Sequence, residues 1–250
     1  MLTGLVSATF RDLPPTEIIR LVREANLDGI EWSADIHCPP DNPDNAKEIA
    51  RQTYENGLKI ISYGSYYWAG KGDDFTNILN TAIILQTDNI RIWAGADYIP
   101  SKDVDEETRA KITADIRNIA KMAAEHGISI SLEYHCNTLT DTLASAIRLL
   151  QDVNMENVYT YWQKLDGLSL EENLHSLQTL AQLKKLKNLH VFSHISYNER
   201  QPFSKGADEW VQYIPAVKSC NPALLFEFVK GDSPEQLIED AKFLKSLLSK

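Results

Sequence analysis

Towards its end the chain contains the stretch Ala223-Leu224-Leu225-Phe226-Glu227-Phe228-Val229-Lys230-Gly231-Asp232-Ser233-Pro234-Glu235. Its apolar first half is typical of a buried β-strand. Ser233 followed by Pro234 is typical of a helix start, because serine caps the first turn and proline fits its first position. The stretch therefore predicts a strand, 223 to 228, followed by a helix, 234 to 248.

The same alternation of a short apolar run and an amphipathic stretch recurs eight times. The predicted strands are Leu5 to Thr9, Gly29 to Ser33, Lys59 to Tyr63, Asn89 to Trp93, Ser129 to Tyr134, Val158 to Trp162, Leu189 to Ser193 and Ala223 to Phe228. Further helices are predicted over 15 to 25, 106 to 126 and 141 to 151. Eight such units predict an α/β fold, a single-domain (β/α)8 TIM barrel over residues 1–250. An open doubly wound sheet is disfavoured because no glycine-rich phosphate motif occurs.

Composition narrows the functional classes. The chain has 250 residues, of which 43% are hydrophobic, and a formal net charge of −10, which disfavours nucleic acid as a partner. Its three cysteines form no C-x-x-C pair, which favours a reducing compartment. No leader-like start and no apolar run of about 18 residues occurs. We expect a cytoplasmic protein without a membrane partner.

Two acids lie within otherwise apolar strand sequences, Glu133 after residues 128 to 132 and Glu227 after residues 224 to 226. In a barrel the carboxyl ends of the strands meet at one mouth, so both side chains are expected there. Burying a carboxylate is costly unless a cation or a metal compensates it. Glu133 and Glu227 are therefore candidate catalytic residues and metal ligands. The alternative is a structural ion pair with Arg91 or Lys230.

Several motifs at the strand ends resemble those of the xylose isomerase-like TIM barrels, a family of sugar isomerases, epimerases, inosose dehydratases and related lyases. The resemblance covers nearly the whole chain. It is carried by Gly29-Ile30-Glu31-Trp32, Leu132-Glu133-Tyr134-His135, Thr138-Leu139-Thr140-Asp141-Thr142, Tyr161-Trp162-Gln163, Leu189-His190-Val191 and Phe226-Glu227-Phe228-Val229-Lys230-Gly231-Asp232-Ser233.

The resemblance implies one divalent ion, with Mn²⁺, Mg²⁺ or Co²⁺ ahead of Zn²⁺. Its ligands would be Glu133, His190 and Glu227, with Gln163 at the position where the family has an aspartate. An amide oxygen is a weaker ligand than a carboxylate, so a metal-free site stays open as an alternative. His194 remains an alternative to His190, because a one-residue error at a strand end is common.

The resemblance also implies a reaction in which a metal-bound carbonyl acidifies the neighbouring C–H, while Glu133 and Glu227 remove and return the proton. Candidate substrate contacts lie at the mouth: the polar side chains His135, Arg200 and His37, and the aromatic walls Trp32, Trp93 and Trp162. For His37 a role in stabilising its loop is an equal alternative.

The first functional hypothesis is a metal-dependent isomerase or epimerase of a small sugar, sugar phosphate or related polyol. The second is a lyase that dehydrates an inosose or a dehydroshikimate-like compound at the same site. The third is a barrel that binds a polyol without turnover, which Gln163 favours. The expected partner is a small polyhydroxy substrate, and the chain is either a monomer or a homodimer. A DNA-repair endonuclease is disfavoured, since the early strands supply only His37 as a metal-binding imidazole.

Overall fold

A computed structural model describes residues 1–95 and 98–249. Within this part of the chain the strands are β1 (Thr3–Val6), β2 (Gly29–Ser33), β3 (Lys59–Trp68), β4 (Asn89–Trp93), β5 (Ser129–Leu132), β6 (Val158–Trp162), β7 (Leu186–Val191), β8 (Ser193–Ser196), β9 (Glu199–Gln201) and β10 (Ala223–Phe226). Eight of them form a closed parallel barrel in the order β1-β10-β7-β6-β5-β4-β3-β2. Strands β8 and β9 form a separate antiparallel hairpin.

Helices surround the barrel. They are α1 (Pro15–Glu24), α2 (Pro43–Glu55), α3 (Thr76–Leu85), α4 (Glu106–Ala124), α5 (Leu143–Val153), α6 (Leu170–Gln182), α7 (Ala207–Ala216) and α8 (Pro234–Leu248). Short 3₁₀ turns cover Ser7–Phe10, Ser101–Asp103, Phe203–Gly206 and Lys230–Asp232. The predicted (β/α)8 barrel is confirmed.

Local sequence explains the strand-to-helix junctions. The Ser233 hydroxyl accepts a hydrogen bond from the backbone N–H of Gln236, with Pro234 in the first turn of α8. Ser169 and Glu172 form a reciprocal capping box at the start of α6. Such caps satisfy N–H groups that have no partner inside the helix. These caps therefore fix where α6 and α8 begin.

Several segments differ from the sequence prediction: β1 ends at Val6 rather than residue 9, β7 begins at Leu186 rather than Leu189, and two segments at the mouth also differ. Strand β3 continues to Trp68, five residues beyond the predicted end. Its register with β4 shifts after Gly64, and the two strands pair again from Tyr67. The loop after β7, predicted to be irregular, contains the β8–β9 hairpin. Both segments lie at the carboxyl ends of barrel strands, where they shape the mouth. None of the helices in the described residues combines the length and the apolar character needed to cross a bilayer.

Candidate active site

Four side chains from four neighbouring strands meet at the carboxyl end of the barrel. Glu133 directly follows β5, Gln163 follows β6, His190 lies in β7 and Glu227 follows β10. His190 Nδ1 lies 3.0 Å from Gln163 Oε1, 3.0 Å from Glu227 Oε2 and 3.8 Å from Glu133 Oε1. All four residues are buried. The mouth therefore holds one imidazole nitrogen surrounded by three oxygens.

This arrangement has more acceptors than protons. The single N–H at His190 Nδ1 can donate to one oxygen. Of the nearby oxygens, Gln163 Oε1 has the geometry of a hydrogen bond to it. Glu227 Oε2 is equally close but has no hydrogen-bond partner within the described residues. The metal-binding atoms of Glu133, His190 and Glu227 all lie within 4.8 Å of one another. Carboxylate oxygens, an amide oxygen and an imidazole suit a divalent ion, so the residues present fit the metal that the sequence predicts.

Charge at this point affects His190 directly. Burial alone would lower the pKa of His190, but the carboxylates of Glu227 and Glu133 outweigh it and raise the pKa above its ordinary value. The imidazole is therefore held where positive charge is favoured. That is the electrostatic environment that a cation would meet at the same position.

A buried guanidinium fixes one of the two acids. Arg91 donates from Nε to Glu31 Oε1 at 2.8 Å and from Nη1 to Glu133 Oε2. The indole N–H of Trp93 donates to the same Glu133 oxygen. Burial alone would raise the pKa of Glu133, but Arg91, His190, His135 and the Trp93 hydrogen bond together outweigh it and hold this pKa below its ordinary value. Glu133 is thus held ionised, with Oε2 occupied by Arg91 and Trp93.

The space for this ion pair depends on Gly64. A Cβ added at Gly64 would lie 2.8 Å from Arg91 Nη2 and 2.8 Å from Glu31 Oε1, which is too close for either atom to stay in place. Any side chain at this position would displace the guanidinium, the carboxylate or both. The absence of a side chain at residue 64 therefore helps to position Glu133.

Beneath the ion pair lies a polar layer inside the barrel. The Tyr161 hydroxyl donates to Glu31 Oε2 at 2.8 Å and accepts from the amides of Asn89 and Asn188 at 3.0 and 2.7 Å. The Ser131 hydroxyl donates to Asn89 Oδ1 at 2.6 Å. Because these groups satisfy one another, they stay in fixed positions in a low-dielectric core. Glu31, and through Arg91 also Glu133, rests on this layer.

The acids open into a cavity of about 680 Å³, called here the metal cavity. Its walls include Trp93, His135 and Arg200, together with Glu133 and Glu227. Burial alone would lower the pKa of His135, but hydrogen bonding to Cys136 and the charge of Glu133 raise it to about 9. His135 thus carries a proton at neutral pH. The Arg200 guanidinium is paired with Asp232 at 2.5 Å.

Three aromatic residues in the wall of this cavity have left-handed backbone conformations. The φ angles are +56° at Tyr66, +52° at Tyr98 and +55° at Phe228. Bulky residues rarely adopt positive φ, and the strain costs about 1–3 kcal/mol at each position. Three strained positions therefore lie in the wall of the metal cavity.

Comparison with known proteins agrees with the fold. Residues 19–247 match the family model described as "Xylose isomerase-like TIM barrel". The chain belongs to this family. The predicted resemblance is therefore confirmed.

One curated relative within reach of sequence comparison is the 3-dehydroshikimate dehydratase of Bacillus anthracis. It is 27% identical over 201 residues, which cover 72% of this chain and 66% of that protein, just under two thirds of its length. The structure titled "probable 3-DHS dehydratase AsbF" from the same organism superposes with a TM-score of 0.82 at 22% identity, covering 98% of this chain and 99% of that one. A D-psicose 3-epimerase superposes with a TM-score of 0.71 at 19% identity, covering 100% and 97%. Proteins of this fold thus carry the names of both lyases and epimerases.

Within the xylose isomerase-like barrel, the metal-ligand positions predicted from the sequence lie together. Glu133, Gln163, His190 and Glu227 form the cluster, which decides between the two candidate histidines. His194 Nε2 instead lies 2.6 Å from Asp166 Oδ1, away from the cluster. The reason is that β7 ends at Val191 and the chain enters the β8–β9 hairpin, so the alternation of β7 does not extend to residue 194.

The predicted substrate contacts divide into two groups. His135, Arg200 and Trp93 line the metal cavity, as expected. Trp32 and Trp162 do not, which corrects their predicted place. The indole of Trp32 donates to Thr53 on α2 and that of Trp162 to Ser176 on α6.

The physical reason is strand alternation. Glu31 and Tyr161 point into the barrel, so the next residues, Trp32 and Trp162, point out to the helices. His37 also lies outside the metal cavity, because its ring nitrogens bond the Ser7 hydroxyl at 3.0 Å and the Leu13 carbonyl at 3.1 Å. Of its two predicted roles, the geometry agrees with stabilisation of the loop.

Sequence reasoning assigned no site role to Glu31 or Gly64, and it considered Arg91 only as a structural partner of Glu133. The available signal was the pair of charged residues in the middle of β2 and β4, Glu31 and Arg91. A charged residue in an apolar barrel strand needs a partner of opposite charge, because an unpaired charge is unstable in the interior. An acid and a base in two such strands are therefore expected to pair.

Proposed function

We propose that this chain is a metal-dependent enzyme that removes a proton next to the carbonyl group of a small polyhydroxy compound. The observation that carries the proposal is the convergence of three oxygens on His190 Nδ1. Glu133, Gln163, His190 and Glu227 would hold the ion. A bound divalent ion would polarise the substrate carbonyl and make the adjacent C–H more acidic.

Glu227 is the proposed base. Its Oε2 has no hydrogen-bond partner in the described part of the chain, and the residue lines the metal cavity. Glu133 is less suited to proton transfer because Arg91 and Trp93 occupy one of its oxygens and its pKa is lowered. The two acids are therefore unequal, although both lie beside His190.

This inequality favours elimination over epimerisation. Elimination needs one base and one acid, whereas two-base epimerisation needs a second group that readily gives a proton to the opposite face. In the proposed dehydration Glu227 takes the C–H proton. His135, which is protonated at neutral pH, gives its proton to the departing hydroxyl group, which leaves as water. The relative named 3-dehydroshikimate dehydratase supports this choice, and we propose a dehydroshikimate-like hydroxy ketone as substrate.

The second candidate is a sugar epimerase or isomerase. It is favoured by Glu133 Oε1, which Arg91 leaves free and which faces His190 from the side of β5, while Glu227 approaches from the side of β10. Two carboxylates that flank one position could take and return a proton on the two faces of one carbon.

The first experiment is metal analysis of protein purified without chelator, beside Glu227→Gln and the exposed control Glu235→Gln. We expect about one divalent ion per chain in the wild type and the control, and loss of the ion in Glu227→Gln, because a charged oxygen ligand is removed.

Activity then separates the candidates. The metal-loaded protein is incubated with 3-dehydroshikimate and with ketoses. A new ultraviolet absorbance from an aromatic product supports the dehydratase, and a new sugar isomer without it supports the epimerase. No bound metal after addition of Mn²⁺ or Co²⁺, together with no turnover, refutes both and leaves a polyol-binding barrel.

A further inference from the structure

A second cavity adjoins the metal cavity. It has a volume of about 720 Å³, and we call it the apolar cavity. Its apolar lining residues come mainly from the loops after β5, β6 and β7: Tyr134, Leu143, Leu165, Leu168, Phe192 and Phe228. A volume of this size is typical of a small-molecule site.

The two cavities are neighbours across a thin wall. Tyr98, His135, Tyr197 and Phe228 line both of them. Gln163 lines the apolar cavity, while its Oε1 lies 3.0 Å from His190 Nδ1 in the metal-binding cluster. Gln163 therefore connects the metal-binding cluster to the lining of the apolar cavity.

Several residues that line the apolar cavity carry polar groups, and some of their polar atoms are incompletely bonded. Tyr134 is fully buried, and its hydroxyl has no hydrogen-bond partner in the described residues. Within the same ranges, Asp141 Oδ1 and His194 Nδ1, from two other lining residues, also lack partners. Buried polar atoms are rarely left unbonded, so unused hydrogen-bonding capacity remains among the residues that line this cavity.

Charge restricts the ligand class. Asp141, Asp166 and Glu172 line the apolar cavity, and the ammonium group of Lys164 is already paired with Glu209 at 2.8 Å. An anionic group would meet these three acids, against the positive charges of His135 in the wall shared with the metal cavity and of the paired Lys164. The aromatic and leucine side chains of the wall suit a flat ring. Their apolar surface favours a neutral group over a charged one.

We propose that the apolar cavity is a substrate subsite for a neutral, flat apolar group attached to the polyhydroxy part that lies in the metal cavity. The proposal rests on the proposed function and names a feature of its substrate. The expected substrate is a cyclic polyhydroxy compound with an aromatic substituent, rather than a bare sugar.

The test compares two neutral probes, phenyl β-D-glucoside and methyl β-D-glucoside, in ligand-observed NMR titrations. We expect the wild type to bind the phenyl compound about tenfold or more tightly than the methyl compound, because the ring is removed from water. Leu168→Trp places a bulky ring in the cavity, and Leu183→Trp is the matched control at the end of α6. The two leucines are 40% and 47% exposed, so neither change disturbs the core.

The phenyl preference should fall to within about twofold in Leu168→Trp and persist in Leu183→Trp. Equal affinities in the wild type, failure of the phenyl compound to bind, or an unchanged preference in Leu168→Trp would each overturn the proposal.

Repeating the titrations with Mg²⁺-loaded and EDTA-treated protein separates this proposal from the proposed function. A phenyl preference that is present in both forms supports the subsite. If Mg²⁺ does not change the affinity of the methyl compound, the result counts against the proposed metal-dependent function. It does not count against the subsite.

Discussion

Replacing Arg91 tests the electrostatic core of the site. Its guanidinium is buried between two buried carboxylates, those of Glu31 and Glu133. In Arg91→Gln both acids lose their cationic partner and remain inside the barrel. The neutral amide can keep some hydrogen bonding but cannot compensate two charges.

The cost follows from this burial. Removing one partner of a buried ion pair costs about 3–5 kcal/mol, because an uncompensated charge is left behind. Here Glu31 also keeps the Tyr161 hydroxyl as a donor, and Glu133 keeps the Trp93 indole, which limits the loss. We therefore expect metal-free Arg91→Gln to lose about 3–5 kcal/mol of unfolding free energy, a large part of the total of about 5–15 kcal/mol for a typical domain.

The loss should depend on pH. In the wild type the pKa of Glu133 is lowered, so its contribution is present above the unfolded carboxyl pKa of about 4.3 and is lost as the pH falls through the folded value. Without Arg91, burial raises this pKa instead, so acid favours the folded variant relative to the unfolded chain. The difference between wild type and variant should therefore shrink as the pH falls from neutral towards the carboxyl range.

The assay is urea unfolding followed by circular dichroism, at neutral and mildly acidic pH in the presence of chelator. Arg109→Gln is the matched control, because Arg109 is also buried but donates to the Ser145 hydroxyl at 3.0 Å rather than to a carboxylate. A loss in Arg91→Gln no larger than that in Arg109→Gln, or a difference that widens in acid, would refute the ion-pair argument.

Three further predictions concern other parts of the site. Gly64→Ala should lower the unfolding free energy by about 1–3 kcal/mol in urea titrations, since its Cβ would lie 2.8 Å from Arg91 Nη2; unchanged stability would contradict the close packing. Gln163→Asp should bind Mn²⁺ about tenfold or more tightly in calorimetry, because a carboxylate replaces a neutral ligand, and equal affinity would place residue 163 outside the coordination sphere. Burial lowers the pKa of His37, so the contribution of this residue to wild-type stability falls as the pH drops below about 6.5. The variant His37→Gln should therefore show a weaker dependence of unfolding free energy on pH. If urea unfolding of the variant has the same pH profile as the wild type, His37 is not the source of that dependence.

The fold was accessible from the sequence because its main signal is repeated. Strands β2, β4 and β6 occupy the predicted residues, because polar turns bound their apolar runs on both sides. The extension of β3 beyond Tyr63 was not predicted. It depends on a break in register after Gly64, and that break is determined by pairing with β4 rather than by local sequence.

The site was accessible only in part, for a similar reason. Glu133 and Glu227 stand out as single acids in apolar strands, and the cluster includes both of them. Trp32 and Trp162 were misplaced because a strand reverses the direction of its side chains at every residue, and an aromatic residue suits either face. Placing Glu31 inside the barrel would have placed Trp32 outside it.

The charges of the whole mouth also change the interpretation of Gln163. From sequence, a neutral amide at the position of a family aspartate suggests a weakened metal site. In the structure Arg91 neutralises one of three buried acids, Glu31, Glu133 and Glu227, so two negative charges remain without counting His190. A divalent ion balances these two charges, whereas an aspartate at residue 163 would add a third negative charge to a buried site. Gln163 therefore limits the net charge of these buried acids and Arg91 to what one divalent ion balances, before the proton on His135 is counted.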